Sequence, residues 1–227
     1  GADGLDVTEK DPFRNNYLSK NEGETTNYAF YTIKKAIDLL SDKEFIEFDV
    51  ASIPGLTRSK LTTQLVNSCE DRGDALAVID VAGGYLPAHE TNTAETSRIG
   101  DVNDTVNEVK DLAINSSYGC TFYPFVQVKD NVNDAVLYVP PSVVALGTLS
   151  SAQRKSAVWF APAGFTRGGL SEGSAGLPVL GVRQRLTADE RDTLYGANIN
   201  PIASFPAEGI VIFGQKTLQV TPSALDR

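Results

Sequence analysis

Methionine is absent from this 227-residue chain, and histidine and tryptophan each occur once. With His89 as the sole imidazole, acid–base or metal chemistry that needs several histidines has no material to work with. Cysteine is nearly as scarce. Cys69 and Cys120 have neither Cys-x-x-Cys spacing nor a cluster, which removes a zinc ribbon and a disulfide scaffold and leaves two buried reduced thiols as the expectation. Basic residues fall short as well: 20 Lys and Arg face 29 Asp and Glu, for a net charge of −9. That balance opposes nucleic-acid binding, which needs clustered cations to displace phosphate counterions. The densest basic group, Arg183, Arg185 and Arg191, is diluted by Asp189, Glu190 and Asp192. No apolar run approaches the roughly 18 residues of a membrane span, and residues 1–26 lack the basic-then-apolar pattern of a secretory leader. Asn103-Asp-Thr105 and Asn115-Ser-Ser117 match the N-glycosylation pattern, without such a leader beside them.

What remains is ordinary: 41% hydrophobic and 22% charged residues, with 19 Gly and 11 Pro. The length suits one large domain or two small ones, and a chain of this size buries roughly 70–75% of its unfolded surface. Lacking Met, the chain opens on Gly1 and closes on Arg227, the residue a trypsin cut leaves. It reads as a protease-resistant fragment of a longer protein.

The periodicity defines α/β order. Residues 1–26 are polar and irregular. Phe30, Ile33, Ile37 and Leu40 share one face of a helix expected over residues 28–40, and Ser41-Asp-Lys-Glu44 has capping-box spacing for a further turn. A strand is expected from Phe45 to Ile53, stopped by Pro54-Gly55. A helix over 58–71 follows, stacking Leu61, Leu65 and Cys69, and then the apolar strand Ala75 to Asp80. Strand, helix, strand at short spacing marks a parallel βαβ unit. Residues 82–100 interrupt it, and Asp101 opens a helix with Val102, Val106, Val109 and Ala113 on one face. Strands are expected over Cys120 to Val128 and Ala135 to Val139, then a helix from Pro140-Pro141-Ser142 to Leu149. Val158 to Ala161 is an apolar, buried stretch. Residues 164–181 form a glycine-rich loop. Thr187-Ala-Asp-Glu190 is a capping box for a helix to Tyr195. Ile199 to Phe205 is a strand broken by Pro201, and Gly209 to Phe213 with Thr217 to Val220 closes the chain. The fold class is α/β: a mixed β-sheet flanked by helices, with an insertion of unknown fold.

Several residues invite a chemical reading. Gly169-Leu-Ser171-Glu-Gly173 matches the G-x-S-x-G nucleophile elbow, but loop flanks it on both sides where that motif needs a strand and a helix, and His89 precedes the serine. His89 has no indicated nucleophile or orienting partner and reads as a surface residue. Asp80 ends an apolar strand, the position where doubly wound folds place ligand-binding groups, yet no G-x-G-x-x-G follows it. The glycine-rich loop lacks the Gly-Lys-Ser/Thr ending of a P-loop. Asp101, Asp104 and Glu108 share a helical face that suits a hard cation, or simply the helix dipole and solvent. The aromatic stretch Tyr118 to Phe125 has no basic surround for stacking on bases and reads as core. An α/β hydrolase or nucleotide-binding domain using Asp80 or Ser171, and a ligand-binding module using the glycine-rich loop, are the alternatives these residues leave.

Read in order, several segments resemble the contractile tail sheath proteins, which form the outer sleeve of contractile phage tails and related injection machines. They are Gly1-Ala-Asp-Gly4, Ser52-Ile-Pro-Gly55, Ala77-Val-Ile-Asp80, Val139-Pro-Pro-Ser142 through Gly147, and Trp159-Phe-Ala-Pro-Ala-Gly164. Leu186-Thr187 to Leu194, Ile199-Asn-Pro-Ile202, and Gly209-Ile-Val-Ile-Phe-Gly214 with Lys216-Thr-Leu218 complete the series. Lys216 stands where the family often has Arg, and residues 84–118 match nothing in the pattern, as an insertion or subdomain would.

The resemblance implies a structural subunit with no catalytic site, no metal and no cofactor. Its expected partners are other sheath subunits, the tail tube protein and the baseplate, with neither nucleic acid nor membrane. Its expected location is the virion, with assembly in the host cytoplasm. Contraction would proceed by subunit rotation and sliding in a metastable sleeve whose terminal arms lend strands to neighbours. A segment like Ser223 to Arg227 is followed in the family by a C-terminal part that touches the tube. The chain is therefore expected to be the body without its N-terminal arm and C-terminal domain, monomeric or at most weakly associating.

Overall fold

The computed structural model describes residues 12–19, 27–91, 93–157, 160–171 and 175–221. The Gly1-to-Gly4 segment, Val158-Trp159, the Glu172-Gly173 end of the serine motif with the following Ser174, and the 223–227 segment lie outside the described residues.

Two successive parallel crossovers organise the chain. Strand β1 (Val50–Ser52) leads through helix α3 (Ser59–Arg72) to β2 (Leu76–Ile79), and β2 leads through α4 (Val102–Leu112) to β3 (Gly119–Tyr123). The strands pair in parallel, with Ala51 opposite Ala77 and Val78 opposite Cys120. Strand β7 (Asn200–Phe205) joins β3 in parallel, and β8 (Gly209–Ile212) returns antiparallel to β7. The resulting mixed sheet has the order β1-β2-β3-β7-β8. A second, antiparallel sheet has the order β5-β4-β6, from β4 (Val126–Asp130), β5 (Ala135–Val139) and β6 (Val179–Val182). Among the described residues the remaining α-helices are α1 (Asn15–Ser19), α2 (Tyr28–Leu40), α5 (Pro141–Lys155) and α6 (Ala188–Gly196).

Side-chain alternation along β2 builds two cores on opposite faces of the large sheet. Ala77 and Ile79 pack with Phe30 and Ile37 of α2 and Leu61, Leu65 and Cys69 of α3. Val78 faces the other way, onto Val144 and Ala145 of α5, Val126 and Val128 of β4, and Ile202, Ile210 and Ile212. Strands covered on both faces read as continuous apolar runs, as Ala75 to Ile79 does. A smaller core joins Val102 and Val106 of α4 to Leu194 of α6.

The helix boundaries follow local chemistry. Asn27 accepts from the Ala29 and Phe30 amides and starts α2, and Asp101 does the same for Asn103 and Asp104 at α4. Pro141 opens α5, and Thr187 with Glu190 forms a complete capping box on α6. Gly73, at φ +70°, closes α3.

The structure differs from the sequence expectations in several elements. Only Val50–Ser52 of the Phe45–Ile53 segment is strand, because pairing with β2 begins at Val50 opposite Leu76; the preceding residues form a turn held by Asp42, which accepts from the Glu44 amide. The strand expected over Cys120–Val128 is two strands in different sheets, divided at Pro124, which has no N–H to donate. Pro201 does not break β7: it sits just outside the last β7–β8 pair, Ile202 with Ile212, where its carbonyl accepts the Phe213 amide. Helix α5 runs past Leu149 to Lys155, and the glycine-rich segment ends in β6. Thr217–Val220 is not a strand; Leu218 is buried and its amide donates to the Gly119 carbonyl. The irregular start contains α1.

Gly147 marks the tightest approach in the second core. A Cβ built there would lie 1.9 Å from the Ala175 carbonyl oxygen. Gly147→Ala is therefore expected to destabilise the chain by about 1–3 kcal/mol, although alanine is the better helix former by about 1 kcal/mol. Urea unfolding checks this; a raised midpoint would show that α5 does not press on that segment.

Candidate functional site

Asp80 follows directly on β2 and is 2% exposed. Its Oδ2 accepts the Ser142 hydroxyl at 2.6 Å and the Gly55 amide at 2.8 Å, and its Oδ1 accepts the Ser142 amide at 3.2 Å. Gly55 belongs to the turn after β1, with φ +78°, and a Cβ there would touch Pro140 at 3.4 Å. Ser142 lies in the first turn of α5. One carboxylate thus ties the end of β2 to the turn after β1 and to the start of a helix on the opposite face. Burial pushes its pKa above the ordinary 3.8, and the three donors restrain that rise. No histidine or cation joins these bonds, and all three donors come from the turn after β1 and the start of α5, so the arrangement clamps segments together.

Ser171 is engaged elsewhere. Its Oγ accepts the Ile210 amide at 2.9 Å, and a Cβ at Gly209 would fall 2.6 Å from that oxygen. It completes a run of bonds along the outer side of β8. The Gly164 amide donates to Ile212 O, the Ile212 amide to Gly168 O, and the Leu170 amide to Ile210 O, at 2.7–2.8 Å. Ser171 and Asp80 therefore belong to separate devices. His89 is exposed on its loop with Nε2 3.7 Å from Glu90.

The other candidates are also placed. Asp101 caps α4. Among the described residues no three His, Cys, Asp or Glu side chains group as metal ligands. Cys69 and Cys120 are buried free thiols, pushed up by burial to about 11 and about 12. Phe122, Tyr123 and Phe125 are buried. Arg183 lies over the adjoining Tyr85 and Tyr138 rings, with its Cζ 4.9 and 4.8 Å from their centroids, and pairs with Glu95 at 2.9 Å. Lys216 donates from Nζ to the Tyr195 carbonyl at 2.7 Å, over the Tyr195 ring. No helix of the described residues is long and apolar enough to cross a membrane.

A cavity of about 410 Å³ opens beside the end of β2, lined in part by Asn15, Tyr85, Glu90, Arg98 and Asp101. Its polar groups are turned inward. Asn15 donates to Gly55 O at 2.8 Å and accepts the Thr57 amide at 2.8 Å, and both its amide nitrogens donate to Glu90 Oε1. Sequence reasoning missed Asn15 and Glu90, which sit in segments without periodicity. It also missed Asn200, whose amide donates to Thr121 O and Lys216 O while accepting the Lys216 N–H. Only the Ile199-Asn-Pro-Ile202 segment pointed to that residue.

No protein-family model matches the chain. Three curated relatives do, and each is a tail sheath protein. That of Salmonella phage ViI is 25% identical over 207 residues, covering 91% of this chain and 30% of the relative. Those of Vibrio phage KVP40 and Enterobacteria phage T4 are each 32% identical, over 119 and 98 residues, covering 52% and 43% of this chain and 17% and 14% of the relatives. The chain thus spans less than a third of the length of the curated relatives it matches. Among solved structures, the contracted helical sheath of the anti-feeding prophage covers 90% of this chain with TM-score 0.55 and 20% identity, matching 47% of that chain. The contracted sheath complex of an extracellular contractile injection system, PVC, covers 78% with TM-score 0.53 and 19% identity, matching 42% of that chain. The chain resembles contractile tail sheath proteins in sequence and has their fold.

Asp80→Asn keeps one acceptor oxygen and turns an N–H₂ toward the remaining donors. It is expected to destabilise the chain by about 1–3 kcal/mol at pH 4. Because the folded-state pKa of Asp80 is raised, its contribution is complete below the unfolded value and falls as pH rises through the folded one. The deficit of Asp80→Asn should therefore narrow as pH rises above the ordinary carboxylate value of about 4. Urea titrations at rising pH test the sign; a deficit that widens with pH would contradict it.

Ser171→Ala should cost about 1 kcal/mol by leaving the Ile210 amide unpaired, read as a lowered unfolding midpoint.

Proposed function

We propose that this chain is the α/β body of a structural subunit in the contractile sheath of a phage-type injection machine. In the full-length protein it polymerises around a tail tube, meets a baseplate, and contracts to drive the tube through a host envelope. The observation that carries this reading is the match to the Salmonella phage ViI tail sheath protein across 91% of the chain. The fold likeness to sheath structures supports it. So does the local chemistry: Asp80 joins Pro54-Gly55 to Pro140-Pro141-Ser142, three of the segments that carry the resemblance.

In this role the body transmits force as a rigid unit. The Asp80 clamp fixes the large sheet to α5, and the antiparallel sheet packs against the same helix. Free energy is stored in the metastable lattice of the extended sleeve. The linking arms and the tube-contacting part lie outside residues 1–227, and the isolated body is a monomer or a weak oligomer. Assembly takes place in the host cytoplasm and the product resides in the virion tail. Neither Asp80 nor Ser171 takes part in turnover, since the structural bonds described above occupy both.

Electron microscopy of the full-length protein tests the reading. Helical sleeves are expected, whereas dispersed particles under all assembly conditions would overturn it. Sedimentation of residues 1–227 should give a monomer at micromolar concentration, and ordered tubes from this chain alone would contradict the placement of the arms. A hydrolase activity abolished by Ser171→Ala or Asp80→Asn in correctly folded protein would contradict the non-enzymatic role.

A further inference from the structure

The loop between β2 and α4 carries a carboxylate that stands apart from the Asp80 clamp. The Glu90 side chain is only 7% exposed. Its Oε1 accepts the Asn15 backbone amide at 3.1 Å and the Asn15 Nδ2 at 3.2 Å, with Nε2 of the exposed His89 at 3.7 Å. Its Oε2 has no hydrogen-bond partner among the described residues, yet it is not sealed in protein. Glu90 lines two adjoining cavities, the one of about 410 Å³ described above and a second of about 350 Å³. Asn15 spends its polar groups inward, whereas Glu90 keeps one oxygen for the cleft. A carboxylate oxygen this deep in a protein is costly unless water or a cation meets it.

Helix α4 adds three more carboxylates. Asp101 and Asp104 line the first cavity and Glu108 lines the second. Asp101 uses Oδ1 as the helix cap, while Asp104 and Glu108 are exposed and have no ion pair among the described residues. Two guanidinium groups share the lining, Arg98 and Arg58. Arg98 is turned onto Tyr85, donating to its hydroxyl and to the Leu86 carbonyl at 3.3 Å each. Lys60 stands outside the lining, two residues after Arg58. Four carboxylates against two guanidiniums leave the cleft acidic, which disfavours an anion.

These carboxylates are spread out. Among the described residues no three of them gather as a metal ion requires. The wall between them is apolar, built by Val81, Leu86, Ile99 and Phe125. Separated negative charges around an apolar wall suit an extended cation, with ammonium groups joined by a hydrocarbon stem, and both volumes fall in the size range of small-ligand sites.

We infer that this cleft binds an aliphatic polyamine, with one ammonium at Glu90 Oε2 and a second at Asp104. Bound there, the molecule joins the loop to the first turns of α4. The site belongs to this chain alone and does not depend on the sheath reading.

Calorimetric titration of the 227-residue chain with spermidine tests the site, with butylamine and Mg²⁺ as separate titrants and melting curves to show that each variant is folded. Spermidine should bind one-to-one and raise the melting midpoint by mass action. Butylamine, with a single charge, should bind roughly tenfold more weakly or worse. Glu90→Gln and Asp104→Asn should each weaken spermidine by roughly tenfold or more. Asp104→Asn touches none of the Asn15 bonds, so it separates loss of the site from loss of local structure. Glu44→Gln, in the turn before β1 and so at the other end of that strand, should change nothing. Absence of spermidine binding would overturn the site. So would Mg²⁺ binding as tightly as spermidine, which is counterion screening only, or a Glu44→Gln effect equal to that of Asp104→Asn.

Discussion

A single buried carboxylate determines how the layers of this molecule meet. Asp80 has no cation beside it. It is held by three hydrogen bonds from two segments that are distant in sequence, the turn after β1 and the first turn of α5. Burying a charged group is costly unless its lone pairs are satisfied, and here the donors converge because the backbone has been shaped to deliver them. Gly55 adopts a left-handed turn, and Pro140 and Pro141 bring Ser142 into place at a helix start where amides are free to donate. The end of β2, the turn that leads from β1 toward α3, and the start of α5 are registered to one another through this point.

Arg72 plays a comparable part on the other face. It is 2% exposed, stacks on Phe48 at 4.2 Å, donates to the Leu40 carbonyl at 2.7 Å and pairs with Asp74 at 2.9 Å. The guanidinium thereby fastens the end of α2 and the approach to β1 onto α3. Both devices use polar groups to fix the relative position of layers whose cohesion comes from apolar burial. Hydrophobic packing is nondirectional, and these bonds give it an orientation.

Much of this architecture was legible in the sequence. Helix α2 has the boundaries its four-residue apolar steps indicate, and Asp101, Thr187 and Pro141 mark helix starts through side-chain and proline chemistry that is local to each. What escaped was the information held between segments. Nothing within Phe45–Asp49 says that pairing will wait until Val50, because the limit is set by where β2 begins. Pro201 looks like a breaker until its position at the end of the β7–β8 ladder is known. Asp80 stood out as a strand-end residue of possible catalytic use; its actual role depends on Gly55 and Ser142, whose proximity no spacing encodes. Asn15, Glu90 and Asn200 were illegible as a site for the same reason, since each is an ordinary polar residue until the fold brings its partners within 3.2 Å.

The outer side of β8 shows what such placement leads to. Ile210 and Ile212 have their edge-facing amides and carbonyls occupied by Gly164, Gly168, Leu170 and Ser171 of the same chain. That border of the sheet is therefore sealed against any incoming strand, and a neighbour arriving there finds only side chains to grip. Side-chain contacts can be released and re-formed one at a time, whereas a main-chain ladder parts as a zipper. With its border finished in this way, the body can make and break contacts there without unravelling its own sheet.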